Sequence, residues 1–257
     1  FIQFANKVPF FGCVIACLDD TGVQSVLPEI NKRITTYGLS RQADVRAINI
    51  RRDNFMTTFD VLYKDYILGD ISTHLIGQHN IQNALLAIAT GIEMDIPFEL
   101  IKKGIEDFKG VFRRFEFKGE KSAIRVYDDY AHHPTEIKAT LSGVRENTQK
   151  RILVLFQPHL YSRTRDFALD FGRSFYHSDL LFVAPIYPAR EQPIEGVSGK
   201  LIADAAIQSG HHHVHYIEEK EDIVETVLSH LEENDVLITM GAGDIYKYGM
   251  EILERIK

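Results

Sequence analysis

The chain has 257 residues, 45% hydrophobic and 25% charged, a balance typical of folded globular protein with room for one large domain or two ordinary ones. A formal charge of −7 and the lack of any Lys/Arg-rich block exclude a general nucleic-acid binder. No apolar run approaches the roughly 18 residues needed to span a bilayer and no signal peptide is visible, so no membrane partner is expected. Cys13 and Cys17, the only cysteines, share one apolar segment and read as buried strand thiols of a reduced, cytoplasmic protein.

The chain opens at Phe1, without Met, inside a helical pattern of Phe1, Phe4, Ala5 and Val8, and is expected to be a piece of something longer. A strand follows over 11–18, then a short helix. Three β-rich stretches, 44–52, 55–63 and 66–76, are punctuated by Asp53 with Asn54 and by Lys64 with Asp65, which predicts an antiparallel meander. Helices are predicted over 80–93 and 98–108, the second opened by Pro97 at a first-turn position. The basic, glycine-flanked segment 109–120 marks a domain change, giving domains 1–112 and 113–257.

Beyond that boundary strand and helix alternate. Strands are predicted at 123–128, 151–156, 180–184, 213–217 and 235–240, with helices at 135–147, 164–177, 198–209, 219–232 and 244–256. Short apolar strands between helices of 3.6 period predict a mainly parallel, doubly wound sheet, and the fold class is α/β.

Polar residues gather just after these strands. Asp128, Asp129, Tyr130, His132 and His133 follow the first strand; Gln157, Pro158, His159, Tyr161, Arg163 and Arg165 follow the second. Tyr187 and Arg190 follow the third, and Gly241, Gly243 and Asp244 the fifth. All these loops belong to one edge of a parallel sheet, where open α/β folds bind ligands. In the densest cluster, Y-D-D-Y-A-H-H-P-T-E at 127–136, Pro134 and Glu136 suit a helix start, but nothing structural demands the acids or the histidine pair. Asp and His suit a divalent ion, yet adjacent side chains diverge, and no metal centre is assigned. Arginine forks suit carboxylate or phosphate; the alternative is surface ion pairing, which two cations in a first helical turn make less comfortable. The glycines at 241 and 243 read as a turn that lets backbone approach a ligand. Asn80 and Asn83 share a helical face able to read adenine, with capping by Asn80 the alternative. Arg113 and Arg114 would make a phosphate clamp at the domain junction. His211, His212, His213 and His215 lie on the opposite edge and read as a solvated loop.

Together these segments resemble the Mur ligase family. The matching elements are H-N-I-Q-N at 79–83, R-R-F at 113–115, D-D-Y-A-H-H-P-T-E at 128–136, F-Q-P-H-L-Y-S-R-T-R at 156–165 and G-A-G-D-I at 241–245, with P-F-F-G at 9–12 and T-T-Y-G at 35–38. They run in the family's order across essentially the whole chain. The resemblance implies the later part of a central ATP-binding domain with a β meander, followed by a C-terminal Rossmann-like domain. The family's phosphate loop, and the Glu and His that hold Mg²⁺, would precede this chain, in which no G-K-[ST] occurs.

The implied reaction is ATP-dependent amide formation in peptidoglycan precursor synthesis, joining L-alanine to UDP-N-acetylmuramate through an acyl phosphate. The implied cofactors are ATP and Mg²⁺, and the chain by itself is expected to be inactive. By resemblance His79, Asn80 and Asn83 contact adenine or its surroundings, and Arg114 the phosphates. Asp129, with Asp128, holds the ribose or positions the nucleotide. His133, His159, Tyr161, Arg163 and Arg165 line the amino-acid and muramoyl side. Arg114, Asp129 and His133 form the catalytic set, and no metal ligand is assigned within the chain. Leu160 stands where many relatives carry Arg, which removes a donor there. The alternatives are a murein-recycling ligase that adds a tripeptide to the same sugar nucleotide, a non-catalytic nucleotide-binding module, and a metallohydrolase using the Asp/His turn.

Overall fold

Strands buried on one face and strands buried on both separate the chain into two sheets, seen in a computed structural model that describes residues 1–256. The two units are Phe1–Lys109 and Gly110–Lys257, each with its own core.

The first unit runs α1 (Ile2–Ala5), β1 (Val14–Cys17), α2 (Thr21–Val26), β2 (Ile34–Gly38), β3 (Val45–Asp53), β4 (Met56–Tyr63), β5 (Tyr66–Thr73), α3 (Gln78–Glu93) and α4 (Phe98–Asp107). Its sheet follows chain order, with β1, β2 and β3 parallel and β3, β4 and β5 an antiparallel meander. Both hairpin turns have positive φ at their two central residues, Asn54 and Phe55, then Lys64 and Asp65, the conformation that matches strand twist. Ile81, Ala84, Leu85, Ile88 and Ala89 recur three and four apart on α3 and close the core over the sheet.

Three expectations change here. β2 was not among the predicted strands, because its I-T-T-Y-G sequence carries too little apolar alternation to announce itself. β1 starts at Val14 rather than at 11, since the Gly12 N–H donates to the Pro9 carbonyl in a turn that leaves Phe10 and Phe11 exposed. Cys13 and Cys17 are half-buried, not buried.

The second unit contains β6 (Glu116–Lys121), β7 (Ile124–Asp129), α5 (Pro134–Asn147), β8 (Ile152–Phe156), α6 (Tyr161–Asp166), α7 (Ala168–Gly172), β9 (Leu180–Val183), α8 (Lys200–Gln208), β10 (Val214–Tyr216), α9 (Ile223–Leu228), β11 (Val236–Met240) and α10 (Ile245–Arg255). The sheet order is β10-β9-β8-β11-β7-β6, parallel throughout except where β6 meets β7. β8 and β11 are buried at every position, as continuous apolar runs in a doubly covered sheet must be. On one face Leu153 and Leu155 join a core with Ile223, Val224, Val227, Ile245 and Ile252, while on the other Phe156 meets Phe171 and Phe175. β11 returns between β7 and β8, so strand order reverses there and the carboxyl ends of all three strands open onto one edge.

Corrections again concern segments with weak patterns. The 109–120 stretch, read as a connection, becomes edge strand β6 from Glu116; its E-F-K-G-E-K sequence is charged as edge strands often are. The single helix expected at 164–177 is two, α6 and α7, divided at Phe167, and the first begins earlier at Tyr161. The helix expected at 219–232 shrinks to the 3₁₀ turn Lys220–Asp222 and α9. The histidine run is only partly solvated. His211 Nε2 lies 3.0 Å from Ser178 Oγ, and the His215 ring packs on Phe182 and on His230. Among the described residues no helix is long and apolar enough to cross a membrane.

α7 and α8 touch at Gly172, where an added Cβ would come within 2.5 Å of the Ala205 backbone. Gly172→Ala should therefore destabilise this unit by about 1–3 kcal/mol through overpacking. Urea unfolding checks this, and a change within about 0.5 kcal/mol would contradict the close contact.

Candidate functional site

The carboxyl edge of the second sheet is organised by two acids at the end of β7. Asp128 is 1% exposed and Asp129 4%, and adjacent buried carboxylates require partners. Asp128 accepts from Arg113 Nε at 2.8 Å and from Thr239 Oγ1 of β11 at 2.7 Å. Asp129 accepts from the Ala131 N–H at 2.7 Å, the Phe115 N–H at 2.9 Å and Thr140 Oγ1 at 3.3 Å. Burial pushes the Asp129 carboxyl up to about 6, against the opposing pull of those two N–H groups and the Arg114 charge. Asp129, with Asp128, was expected to hold a ribose or to position the nucleotide; in the structure both carboxylates are buried, and their bonds fix the turn that carries Tyr130, His132 and His133.

The consecutive arginines part company. Arg113 and Phe115 both have positive φ, and the Arg113 side chain turns in while that of Arg114 turns out, 54% exposed. Arg114 Nη1 lies 3.8 Å from Glu136 Oε1, and its guanidinium sits 6.0 Å from the centre of the Tyr130 ring.

His133 caps α5, its Nδ1 accepting from the Thr135 N–H at 3.4 Å, while Glu136 Oε2 accepts from the N–H groups of His132 at 3.0 Å and His133 at 3.2 Å. Burial alone would raise the Glu136 carboxyl; the His132 N–H, the His132 ring, Arg114 and the His133 N–H outweigh it and hold the group below the usual range. The His133 ring meets Phe167 at 5.4 Å, and the His132 ring faces His159 at 5.8 Å.

After β8 the chain forms the densest unsatisfied cluster. Gln157 is fully buried and donates through Nε2 to Asp244 Oδ1 at 3.0 Å. The His159 ring lies nearly parallel to Tyr187 at 5.8 Å, and the Leu160 N–H donates to the Tyr187 carbonyl at 3.0 Å. Burial, then Arg163 and His132, push the His159 pKa down, so its ring is neutral near pH 7. Gln157 Oε1, His159 Nδ1 and Arg163 Nη1 are buried and have no hydrogen-bond partner among the described residues. Such groups cost free energy unless something completes them. Tyr161 opens α6, and Arg165 points away, exposed and paired with Asp166 at 2.7 Å. Glu191 accepts from both the N–H and the hydroxyl of Ser162, stapling the 184–199 loop to α6.

The glycine turn, expected to let backbone approach a ligand, is packed closely by the protein's own residues. A Cβ at Gly241 would come within 2.7 Å of the Gln157 carbonyl oxygen, and one at Gly243 within 2.3 Å of Gln157 Oε1 and 2.7 Å of the Tyr187 ring. The glycines admit the protein's own side chains.

In the first unit α3 is capped by Gly77, not by Asn80. Asn80 Nδ2 donates to the Ile76 carbonyl at 2.8 Å, and Asn83 Nδ2 lies 3.4 Å from Asn80 Oδ1, so both amides share one face, with His79 and Asn83 exposed. Gln82 Nε2 donates to Asp19 Oδ2 at 2.7 Å, a tie between distant segments that no sequence pattern announced. Among the described residues no three His, Cys, Asp or Glu side chains are grouped to hold a metal ion. Arg113, Glu191 and Asp244 acquire roles the sequence did not signal, because each acts through a partner far along the chain.

Comparison with known proteins identifies the fold's relatives. Residues 1–91 match the Mur ligase middle domain and residues 113–243 the family described as Mur ligase, glutamate ligase domain. The UDP-N-acetylmuramate–L-alanine ligase of Salinibacter ruber is 46% identical over 258 residues, covering 100% of this chain and 54% of that protein. The crystal structure of the UDP-N-acetylmuramate-alanine ligase MurC of Thermotoga maritima is similar with a TM-score of 0.76 and 23% identity, over 94% of this chain and 51% of that one. The MurF ligase of Thermotoga maritima in complex with ADP is similar with a TM-score of 0.72 and 12% identity, over 99% of this chain and 56% of that one. The chain thus spans about half the length of the relatives it matches.

The burial of Asp129 carries a pH signature. Its folded pKa lies above the unfolded value, so its protonated form contributes stability fully below about pH 4, and that contribution, ~3 kcal/mol, is lost as pH rises through about 6. Carboxyl-carbon NMR should show Asp129 titrating near 6; a midpoint below about 4.5 would rule out the burial argument.

Proposed function

The chain belongs to the Mur ligase family, and from that membership we propose that the protein carrying it joins L-alanine to UDP-N-acetylmuramate in an ATP-dependent reaction of peptidoglycan precursor synthesis. The observation that carries this reading is likeness along the entire chain to ligases of that specificity. In this reading residues 1–112 belong to an ATP-binding domain, and 113–257 form the domain that receives the amino acid.

The chemistry asks for two things. Negative charge on phosphoryl and acyl oxygens must be stabilised, and the attacking amine must arrive unprotonated. Arg163, with its unpartnered Nη1, suits the carboxylate of an amino acid, and the neutral His159 ring suits its amine. Tyr161 and His133 occupy the flanking turns. Arg165 joins the site only by leaving Asp166. Arg114 is exposed and loosely paired, free to meet phosphoryl oxygens. His79, Asn80 and Asn83 serve the nucleotide base through their shared face. Asp128 and Asp129 act indirectly, by shaping the turn beneath Arg114 and His133. Mg²⁺, when bound with ATP, supplies charge neutralisation on the phosphates; no residue of this chain is assigned to hold it.

The complete protein should release phosphate from ATP only when UDP-N-acetylmuramate and L-alanine are both present. Faster turnover with a tripeptide in place of L-alanine would overturn the assignment in favour of a recycling ligase. Replacing Arg163 with Met should lower kcat/KM for L-alanine by about 10- to 100-fold, the worth of one charge-assisted hydrogen bond, with KM for ATP unchanged. Wild-type kcat/KM in that variant would remove Arg163 from the substrate site.

A further inference from the structure

Arg113 makes three side-chain hydrogen bonds at the crevice edge and lies against two rings, one of them the partly exposed Tyr130. Arg113 itself is 7% exposed. Nε donates to Asp128 Oδ2 at 2.8 Å, Nη1 to the Gly243 carbonyl at 3.0 Å and Nη2 to the Gly241 carbonyl at 2.6 Å. The guanidinium lies between two aromatic rings, 5.1 Å from the centre of Tyr130 and 4.7 Å from that of Tyr246. A planar fork of donors is the only side-chain group that fits three acceptors and two ring faces at once.

We propose that Arg113 is a positioning residue for the ligase reaction, fixing the His159 ring from two sides through the 241–243 turn and through Tyr130. On the first side Arg113 holds the carbonyl of Gly243, whose Cα abuts the Tyr187 ring so closely that a Cβ would lie 2.7 Å from it. Tyr187 in turn lies parallel to His159, and its N–H donates to the Pro158 carbonyl at 2.8 Å. On the second side the Tyr130 ring rests on Arg113 and meets the His132 ring at 5.2 Å, and His132 meets His159 at 5.8 Å. The contacts close a ring: Arg113, Gly243, Tyr187, His159, His132, Tyr130 and back to Arg113. His159 sits opposite Arg113 in that ring, so a shift of the guanidinium reaches it along both arms.

The kinetic consequence rests on the ligase reading; the structural one does not. The test uses Arg113→Lys in the complete protein, which keeps a cation beside Asp128 but cannot serve both glycine carbonyls. Carbon–proton NMR of the His159 ring should show displaced resonances in the folded variant. kcat should fall on the order of 10²-fold, as for a misplaced reacting group, while KM for ATP holds. A folded variant with wild-type His159 resonances overturns the proposal, even where its melting temperature drops, since that is the mark of a merely structural arginine. Should Arg113→Lys fail to fold, Asp128→Asn removes the charge and one of the two acceptor oxygens that Arg113 and Thr239 share, and it must displace the same resonances or the proposal fails. Absence of ligase turnover in the wild type would sink the ligase reading alone, leaving the His159 resonances to decide the tie.

Discussion

The ion pair between Arg113 and Asp128, closed at 2.8 Å with both side chains almost shielded from water, is the constraint on which the crevice edge depends. A buried charge is tolerable only when paired and hydrogen-bonded, and removing one partner of such a pair typically costs about 3–5 kcal/mol. Asp128 has a second donor in Thr239, and Arg113 donates from Nη1 and Nη2 to two carbonyls, so each charge has more than one partner. The backbone around Arg113 is bound as firmly. Its N–H donates to Glu116 at 3.0 Å and its carbonyl accepts from the Tyr130 N–H at 2.7 Å. A residue at φ +57 is uncommon outside glycine, and here the surrounding bonds over-determine it.

What makes this node possible is the register of three parallel strands. Met240 at the end of β11 stands opposite Asp129 of β7 and Phe156 of β8, so the three ends are flush. The first residues beyond them then bond directly: the Gln157 N–H donates to the Met240 carbonyl at 2.9 Å, and the Gly241 N–H to the Asp129 carbonyl at 3.1 Å. Loops that begin this close must interpenetrate, and side chains at 241 and 243 would block Gln157 and Tyr187. Glycine follows from strand register here. The long 184–199 loop completes the edge, bound to the 158–162 segment through Tyr187 and Glu191.

The parts legible in the sequence were those governed by local pattern. Apolar runs gave β8 and β11, hairpin residues gave the meander, and Pro134 with Glu136 gave the start of α5. Clusters after successive strands gave the crevice edge, because topology alone brings such loops together. The parts that were not legible depend on partners distant in sequence. Arg113 bonds to a carbonyl 130 residues away, and nothing in R-R-F says which arginine turns inward. β2 and β6 take their conformation from neighbours more than from their own alternation, and the break between α6 and α7 at Phe167 lacks the Gly or Pro that would mark it. The depth of Asp128 and Asp129 was hidden for a related reason. A charged pair at a strand end reads as exposed until the arginine that neutralises one of them is located.

In the proposed ligase reading, unfilled bonding capacity separates the residues that build this edge from those that would act on a substrate. Asp128, Asp129, Arg113 and Glu191 are each bonded to several groups within the unit. His159 Nδ1 and Arg163 Nη1 are buried without partners, and Arg114 extends into solvent beyond a loose contact with Glu136. Native interiors rarely leave polar atoms incomplete, and in the proposed ligase reading those that persist at the mouth of the strand-order reversal are the ones a ligand would complete. Within the structure, much of the density of acids and histidines at 127–136 is spent on bonds that shape the turn itself. Those bonds place the His132 and His133 rings, while His159 and Arg163, with unpartnered atoms, lie after β8, the His159 ring held in the proposed arrangement by Arg113.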